Sequence, residues 1–274
     1  MEDLVKCEGK LDIEHLAEEI VDKLEWLGGF GKDPAGGVSR FLYSKEWVDA
    51  QRALKRWMES EGLDVQFDQI GNLSGTLKGT NINETLLTGS HIDTVKNGGL
   101  YDGQYGIVAG VLAIKYLKKQ YGQPKRNLEI VSLAEEEGSR FPYCFWGSKN
   151  VVGMANREDV ETIADFEGVP FVRAMKESGF AFRDESNAPR QDLKAFVEIH
   201  IEQGNVLETE KKSVGVVYSI VGQRRFTIEV TGEANHAGTT PMGYRKDAVY
   251  AASHMIYEII SLAKQQGDPL VATV

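Results

Sequence analysis

The chain has 274 residues, of which 42% are hydrophobic and 26% charged, the composition of an ordinary globular protein. Its formal net charge is −10 and its Lys and Arg residues form no block or stripe, so nucleic acid is not an expected partner. The two cysteines, Cys7 and Cys144, form no CxxC pair, which excludes a thiolate metal site of that kind. The first residues lack the apolar core of a signal peptide, and no apolar run reaches the roughly 18 residues of a membrane span. We therefore expect a cytoplasmic protein that does not associate with membranes.

The amino-terminal quarter predicts two helices and a pair of strands. Apolar residues recur at helical spacing in residues 12–27 and 46–60, and the glycine-rich residues 28–37 separate the two segments. Residues 65–77 are typical of two short strands around a Gly-Asn turn.

The next segment has the order strand, loop, helix, strand. An apolar run at residues 85–89 is followed by a glycine-rich loop at 97–106, a helical pattern at 107–120 and a second apolar run at 128–134. This order is that of a βαβ unit, so we predict an α/β fold with a mixed or parallel sheet covered by helices.

Metal-ligand residue types stand where three predicted strands end. His91 follows the first strand, Glu135–Glu137 follow the second, and a third strand at 195–201 carries His200 near its end. Ligands of open α/β sheets bind beyond the carboxyl ends of the strands. We therefore expect these side chains to meet at one edge of one sheet.

The pattern of predicted elements changes after about residue 215 and indicates a second, α+β unit. Two strands are predicted at residues 214–221 and 225–231, followed by a loop at 232–241. A helix at 245–266 and a further strand at 270–274 come next. We predict a catalytic domain at 1–215 and an incomplete second domain at 216–274. Because the sequence stops within this unit without a cap, turn or polar tail, we expect a truncated chain.

His91, Asp93 and Asp102 form the first candidate ligand group. Alternation along a strand places His91 and Asp93 on one face, where the carboxylate would accept the second ring N–H and make the other nitrogen a better ligand. Asp102 lies in a tight glycine-flanked loop, and a carboxylate can bridge two cations. The alternatives are a structural His–Asp hydrogen bond and an ordinary turn aspartate.

The three consecutive glutamates at 135–137 repel one another unless a cation lies nearby. If neighbouring glutamates point in different directions, one can bind metal while another transfers protons. The alternatives are a solvated acidic turn for the triplet and a half-buried strand histidine for His200. Imidazole and carboxylate ligands without thiolate suit Zn²⁺ and also admit Mn²⁺ or Co²⁺.

Four segments carry a resemblance to a known family. GSHIDTVKNGGLYDGQYG, AEEEGSRFPYCFWGSKN, FVEIHIEQGNVLE and VGQRRFTIEVTGEANHAGTTPMGYRKDA resemble the M20 metallopeptidase superfamily, and within it the amidase/hydantoinase–carbamoylase branch. The resemblance implies a di-metal catalytic domain with an inserted α+β lid and dimerisation domain, two divalent metal ions (Zn²⁺ or Mn²⁺), and a homodimer formed through the lid. It implies hydrolysis of a ureido C–N bond of allantoate to ureidoglycine, ammonia and CO₂. The alternative substrate is an N-carbamoyl-L-amino acid.

The resemblance also implies the metal ligands. His91 and His200 would hold one ion, Glu137 the other, and Asp102 would bridge them. The family completes the second ion's site with a histidine near its carboxyl terminus, which this sequence does not contain. We therefore expect the 274-residue chain to be inactive or poorly folded by itself. A further alternative is a non-catalytic, metal-binding dimerisation module.

The remaining implied roles concern catalysis and the substrate. Glu136 matches the general base, Asp93 the residue behind the metal-ligand histidine, and Gln203 a substrate contact. His236 matches a lid histidine that reaches across the dimer interface and polarises the scissile carbonyl. Arg225 would assist in binding the substrate carboxylate; otherwise it is a surface ion-pair partner.

Overall fold

A computed structural model of the protein describes residues 13–183 and 188–274. Cys7 and residue 12, the first of the predicted amino-terminal helix, lie outside these ranges. The chain divides into two compact units, Met1–Asn205 and Val206–Val274, and each is described by itself. The division into a catalytic domain at 1–215 and a second domain at 216–274 stays a prediction.

The two predicted amino-terminal helices are confirmed. Helix α1 spans Ile13–Gly28 and α2 spans Lys45–Ser60. Ser44 caps α2, since its hydroxyl accepts the backbone N–H of Trp47 at 3.2 Å and satisfies a donor that the first helical turn leaves unpaired.

The first unit contains one mixed five-stranded sheet in the order β1-β2-β4-β3-β5. The strands are β1 Asp64–Phe67, β2 Leu73–Leu77, β3 Asn81–His91, β4 Arg126–Leu133 and β5 Leu193–Val197. β2 pairs antiparallel with β1 and β4, whereas β3 pairs parallel with β4 and β5. Helix α3, Gln104–Tyr121, connects the parallel strands β3 and β4. The predicted α/β class, the βαβ unit and the mixed sheet are confirmed.

The register brings the carboxyl ends of the parallel strands together. His91 is paired with Leu133, so the residues after β4 begin beside His91. β5 ends at Val197, four residues before the predicted end at 201, and His200 therefore lies in the loop after the strand.

The core of the first unit lies between the sheet and its helices. Burial follows the helical spacing of α3, where Ile107, Val111 and Ile114 are all buried. Large side chains from α2 and from the segments after β4 complete this core: Trp47, Leu54, Met58, Phe141, Trp146 and Phe171. The short helices α4 Trp146–Val151, α5 Glu158–Glu161 and α6 Phe171–Glu177 follow β4.

The second unit is helical where the structure describes regular elements. It contains α7 Val206–Thr209, a 3₁₀ turn at Met242–Tyr244 and α8 Ala248–Gln266. The predicted helix from 245 begins at Ala248, because the Asp247 carboxylate accepts the N–H of Tyr250 at 3.0 Å and caps the helix.

The strands predicted at 214–221, 225–231 and 270–274 were wrong: within Val206–Val274 the structure has no β-ladder. The alternating pattern is present, but a strand also needs a neighbour that completes its hydrogen bonds and covers one face. Tyr218 is 97% exposed and Ile220 91% exposed, so neither packs on such a neighbour.

None of the described helices is long and apolar enough to cross a bilayer.

Candidate metal centre

His91 ends β3 and is 2% exposed. Its Nδ1 lies 2.9 Å from the backbone carbonyl oxygen of Asp93. A carbonyl oxygen only accepts hydrogen bonds, so Nδ1 carries the proton and Nε2 keeps a lone pair for a metal ion.

The carboxylate of Asp93 does not have the role that strand alternation predicted. Its Oδ1 is 3.8 Å from His91 Nδ1, beyond hydrogen-bonding distance, and its backbone carbonyl takes the ring proton instead. Because β3 ends at His91, the alternation of a strand no longer governs Asp93. The Asp93 Oδ2 atom accepts the backbone N–H groups of Glu136 at 2.9 Å and Glu137 at 3.0 Å. The buried carboxylate thus joins the end of β3 to the segment after β4.

Two groups of potential metal ligands share the His91 ring. Ligand atoms of His91, Asp102 and His200 all lie within 4.8 Å of one another, as do those of His91, Glu136 and Glu137. His200 Nε2 lies 3.3 Å from Asp102 Oδ1, and His91 Nε2 lies 3.7 Å from Glu136 Oε2. The sequence-predicted ligands of the first unit are therefore gathered in one place.

Gln203, predicted as a substrate contact, lies beside the first ligand group. Its Nε2 donates to Asp102 Oδ2 at 2.7 Å, which leaves Oδ1 of the same carboxylate facing His200. The amide therefore fixes the orientation of Asp102, and a direct role with substrate stays a prediction.

The three consecutive glutamates have different surroundings. Glu135 has a φ of 58° and is fully buried, and neither carboxylate oxygen has a hydrogen-bond partner among the described residues. Burial, reinforced by the charge of Asp93, raises the pKa of Glu135 well above its usual range. Burial also raises the pKa of Glu137 to about 7 and raises the pKa of Glu136. In both glutamates the nearby His91 ring partly opposes this effect of burial.

His236 and Arg225 belong to the second unit. The His236 ring Nδ1 accepts the backbone N–H groups of Gly238 at 3.1 Å and Thr239 at 3.2 Å, so it stabilises its own loop. Arg225 is exposed. Their roles in lid function stay predictions.

Sequence reasoning missed Arg40, a fully buried arginine close to the centre. Burial lowers the pKa of its guanidinium to about 9, against the opposing effect of Asp93, so the group remains charged at neutral pH. The sequence feature that could have indicated a buried arginine is the position of Arg40 between the glycine-rich segment and the apolar residues Phe41 and Leu42.

The donor set fits divalent metal ions. Imidazole nitrogens and carboxylate oxygens gather in two groups that share His91, and carboxylates at such separations repel one another unless a cation lies between them. The donors that the described residues bring together are imidazole nitrogens and carboxylate oxygens, which are common ligands of divalent ions in proteins.

Comparison with known proteins gives the family. The profile of peptidase family M20/M25/M40 matches residues 87–272, which include every candidate ligand. The chain belongs to the M20/M25/M40 peptidase family. Within this family, an allantoate amidohydrolase of Escherichia coli is 56% identical over 262 residues, which cover 95% of this chain and 64% of that protein.

The chain is also similar to two amidases of other names. An N-carbamoyl-L-amino-acid amidohydrolase of a Pseudomonas strain is 38% identical over 94% of this chain and 63% of its own length. A hydantoinase/carbamoylase family amidase of Burkholderia ambifaria, whose crystal structure is known, is 31% identical with a TM-score of 0.70 and matches over 92% of this chain and 61% of its own length. The chain thus spans less than two thirds of the length of these relatives.

Proposed function

We propose that the protein acts as a metal-dependent amidohydrolase that cleaves a ureido C–N bond of allantoate, giving ureidoglycine, ammonia and CO₂. The observation that carries the proposal is the convergence of His91, Asp102 and His200, with Glu136 and Glu137 in a second group that shares the same imidazole. The 56% identity to the Escherichia coli allantoate amidohydrolase, against 38% to the N-carbamoyl-L-amino-acid enzyme, favours allantoate.

The ligand roles follow the two groups. His91, Asp102 and His200 would hold one divalent ion, and Glu137 is the candidate ligand of a second ion, toward which Asp102 would also contribute. The ions, when bound, supply Lewis acidity that lowers the pKa of water and polarises the scissile carbonyl.

Glu136 is the proposed general base. It lies within 3.7 Å of the His91 imidazole and so borders the proposed first ion's ligands. From there its carboxylate takes a proton from the attacking water and returns it to the leaving nitrogen. Glu135, turned into the protein, has no part in this transfer.

The second unit contributes to the same proposal. We assign it to the lid and dimerisation domain of the family, with His236 polarising the scissile carbonyl and Arg225 assisting the substrate carboxylate. The lid assignment and the homodimer follow from the resemblance of the sequence to the family, whose model matches residues up to 272.

The test measures metal content and then turnover. The chain is dialysed free of metal, loaded with Zn²⁺ or Mn²⁺, and assayed for ammonia release from allantoate and from an N-carbamoyl-L-amino acid. Bound metal with faster release from allantoate supports the proposal, and faster release from the carbamoyl substrate supports the alternative enzyme. Bound metal without turnover of either substrate supports a metal-binding module. A chain that binds no divalent ion overturns the proposal.

A further inference from the structure

The glycine-rich residues 28–37, together with the three residues that follow them, pack along the loop that leads from His91 to Asp102. Val38 and Gly98 exchange backbone hydrogen bonds of 3.0 and 2.8 Å. Gly37 has a φ of 74°, and a Cβ atom there would lie 2.7 Å from the carbonyl oxygen of Gly98. Only glycine therefore permits this close approach.

Arg40 completes this contact from inside the protein. Its Nε donates to the carbonyl oxygen of Ile92 at 2.6 Å, and its Nη1 donates to the carbonyl oxygens of Leu27 at 2.8 Å and Phe30 at 3.0 Å. One fully buried guanidinium thus ties the carboxyl end of α1 to the residue that directly follows His91.

The backbone of Arg40 also forms hydrogen bonds with the same loop. Its N–H donates to Thr94 Oγ1 at 2.9 Å, and its carbonyl oxygen accepts the N–H of Thr94 at 3.0 Å. The residues on both sides of Asp93 are therefore attached to Arg40.

The Asp93 side chain also interacts electrostatically with the Arg40 guanidinium. Both side chains are fully buried, and the attraction of Asp93 opposes the effect of burial on Arg40. Asp93 Oδ1 and Arg40 Nη2 each lack a hydrogen-bond partner among the described residues. One oxygen of the buried Asp93 carboxylate thus has no hydrogen-bond donor among the described residues, and the nearby charge of Arg40 offsets its unfavourable burial.

We infer that Arg40 is a positioning residue of the metal centre. It fixes the backbone at 92–94, and through Asp93 it fixes both the His91 ring and the backbone of Glu136 and Glu137. The inference rests on the proposed function, because it assigns to Arg40 an effect on metal ligands. Arg40 itself is not a ligand.

A purely structural arginine would show the same contacts, so the test needs a readout other than stability. Arg40→Lys keeps the charge but loses the planar set of donors that reaches three carbonyl oxygens. Arg190→Lys is the matched control, because Arg190 is also tied to two partners, Glu129 and Asp192, away from the ligand groups.

The experiment uses the full 274-residue chain loaded with metal alone. Zn²⁺ affinity is measured by competition with a chelating dye, the visible absorption of the Co²⁺-loaded protein reports ligand geometry, and thermal unfolding is followed without metal. We expect Arg40→Lys to weaken Zn²⁺ binding by about 10-fold or more and to change the Co²⁺ spectrum. Arg190→Lys should leave both within about 2-fold of the parent, even where its melting temperature falls equally.

Each result has a defined meaning. Arg40→Lys with parental affinity and spectrum overturns the inference and leaves the proposed function standing, whereas a parent that binds no divalent ion overturns both. If Arg40→Lys loses its folded circular dichroism, Thr94→Val replaces it, because this change removes the hydroxyl that accepts the Arg40 N–H. Thr94→Val should then lower Zn²⁺ affinity at least several-fold, and unchanged affinity contradicts the inference.

Discussion

The Asp93 carboxylate accepts the backbone N–H of Glu136 at 2.9 Å, across the carboxyl ends of two parallel strands. The same residue accepts the His91 ring proton through its backbone carbonyl. One aspartate therefore orients a proposed metal ligand with its main chain and the proposed general base with its side chain.

Replacing Asp93 with asparagine should weaken metal binding without unfolding the protein. The amide oxygen can still accept the N–H groups of Glu136 and Glu137, but the charge that strengthens these bonds is lost. We expect Zn²⁺ affinity to fall by about 10- to 100-fold, measured by competition with a chelator. Asp247→Asn, which makes the same change at the cap of α8, should leave the affinity unchanged. Equal affinities in the two variants would contradict the role of Asp93.

Gly103→Ala should displace the His91 ring. Gly103 has a φ of 65°, and a Cβ atom there would lie 2.5 Å from His91 Nε2. Gly122, at the other end of α3, has a φ of 71° with open space around it, so Gly122→Ala imposes only the backbone strain of about 1–2 kcal/mol. Both variants should melt at a lower temperature, but only Gly103→Ala should lose metal affinity, by about 10-fold or more. Unaltered Zn²⁺ binding in Gly103→Ala would show that the ring can move aside.

Glu136→Gln should separate catalysis from metal binding. The group of His91, Asp102 and His200 does not include this carboxylate, so at least one ion should remain bound. Loss of a general base lowers kcat by about 100- to 10,000-fold, and in any parent protein that contains this sequence and releases ammonia from allantoate we expect this range with a smaller change in KM. Glu177→Gln, which removes an exposed ion-pair partner of Arg173, is the control. Parental turnover in Glu136→Gln would assign the base to another group.

Acid should destabilise the first unit partly through Asp192. The hydrogen bond from Arg190 lowers the pKa of Asp192 from 3.8 to about 2. Since the folded-state pKa lies below the unfolded one, the interaction stabilises the fold above about pH 4, and this contribution is lost as the pH falls toward 2. Asp192→Asn should therefore show a shallower loss of unfolding free energy from pH 5 to about pH 3, measured by urea denaturation.

The control for this prediction is Asp64→Asn. Asp64 pairs with Lys78 at the surface, where both side chains are more than half exposed, so its contribution to stability should be small. If Asp192→Asn follows the parent's acid profile, the Arg190 interaction is fully screened by solvent.

The sequence predicted the elements whose pattern is local. The helical spacing of Ile107, Val111 and Ile114 and the apolar run of β4 both correspond to buried positions, because α3 and β4 pack within one unit. Apolar and polar residues also alternate around Tyr218, but this segment forms no strand. The alternation indicates which face of a strand could be buried, but it does not indicate which neighbour would cover that face.

In the site, residue types were predictable but their contacts were not. His91 and Glu136 stand at strand ends, which the order of elements places together. The end of β3 at His91, by contrast, releases Asp93 from the strand pattern and turns its carboxylate toward another segment. Arg40 escaped prediction because its side chain donates to backbone carbonyl oxygens. Every residue has such a carbonyl, so the residue types at these positions do not indicate the contact.

The parallel pairing of β3 with both β4 and β5 has a consequence for folding. Thr85 pairs with Leu193, so the strand that leads to His200 joins the sheet through a contact between residues far apart in the chain. Contacts of this kind close large loops and form slowly, and the unfolded chain therefore offers scattered histidines and carboxylates instead of a preformed site. An ion that binds only the closed arrangement would favour the folded state by mass action, so at the proposed metal centre chelation would be thermodynamically linked to unfolding.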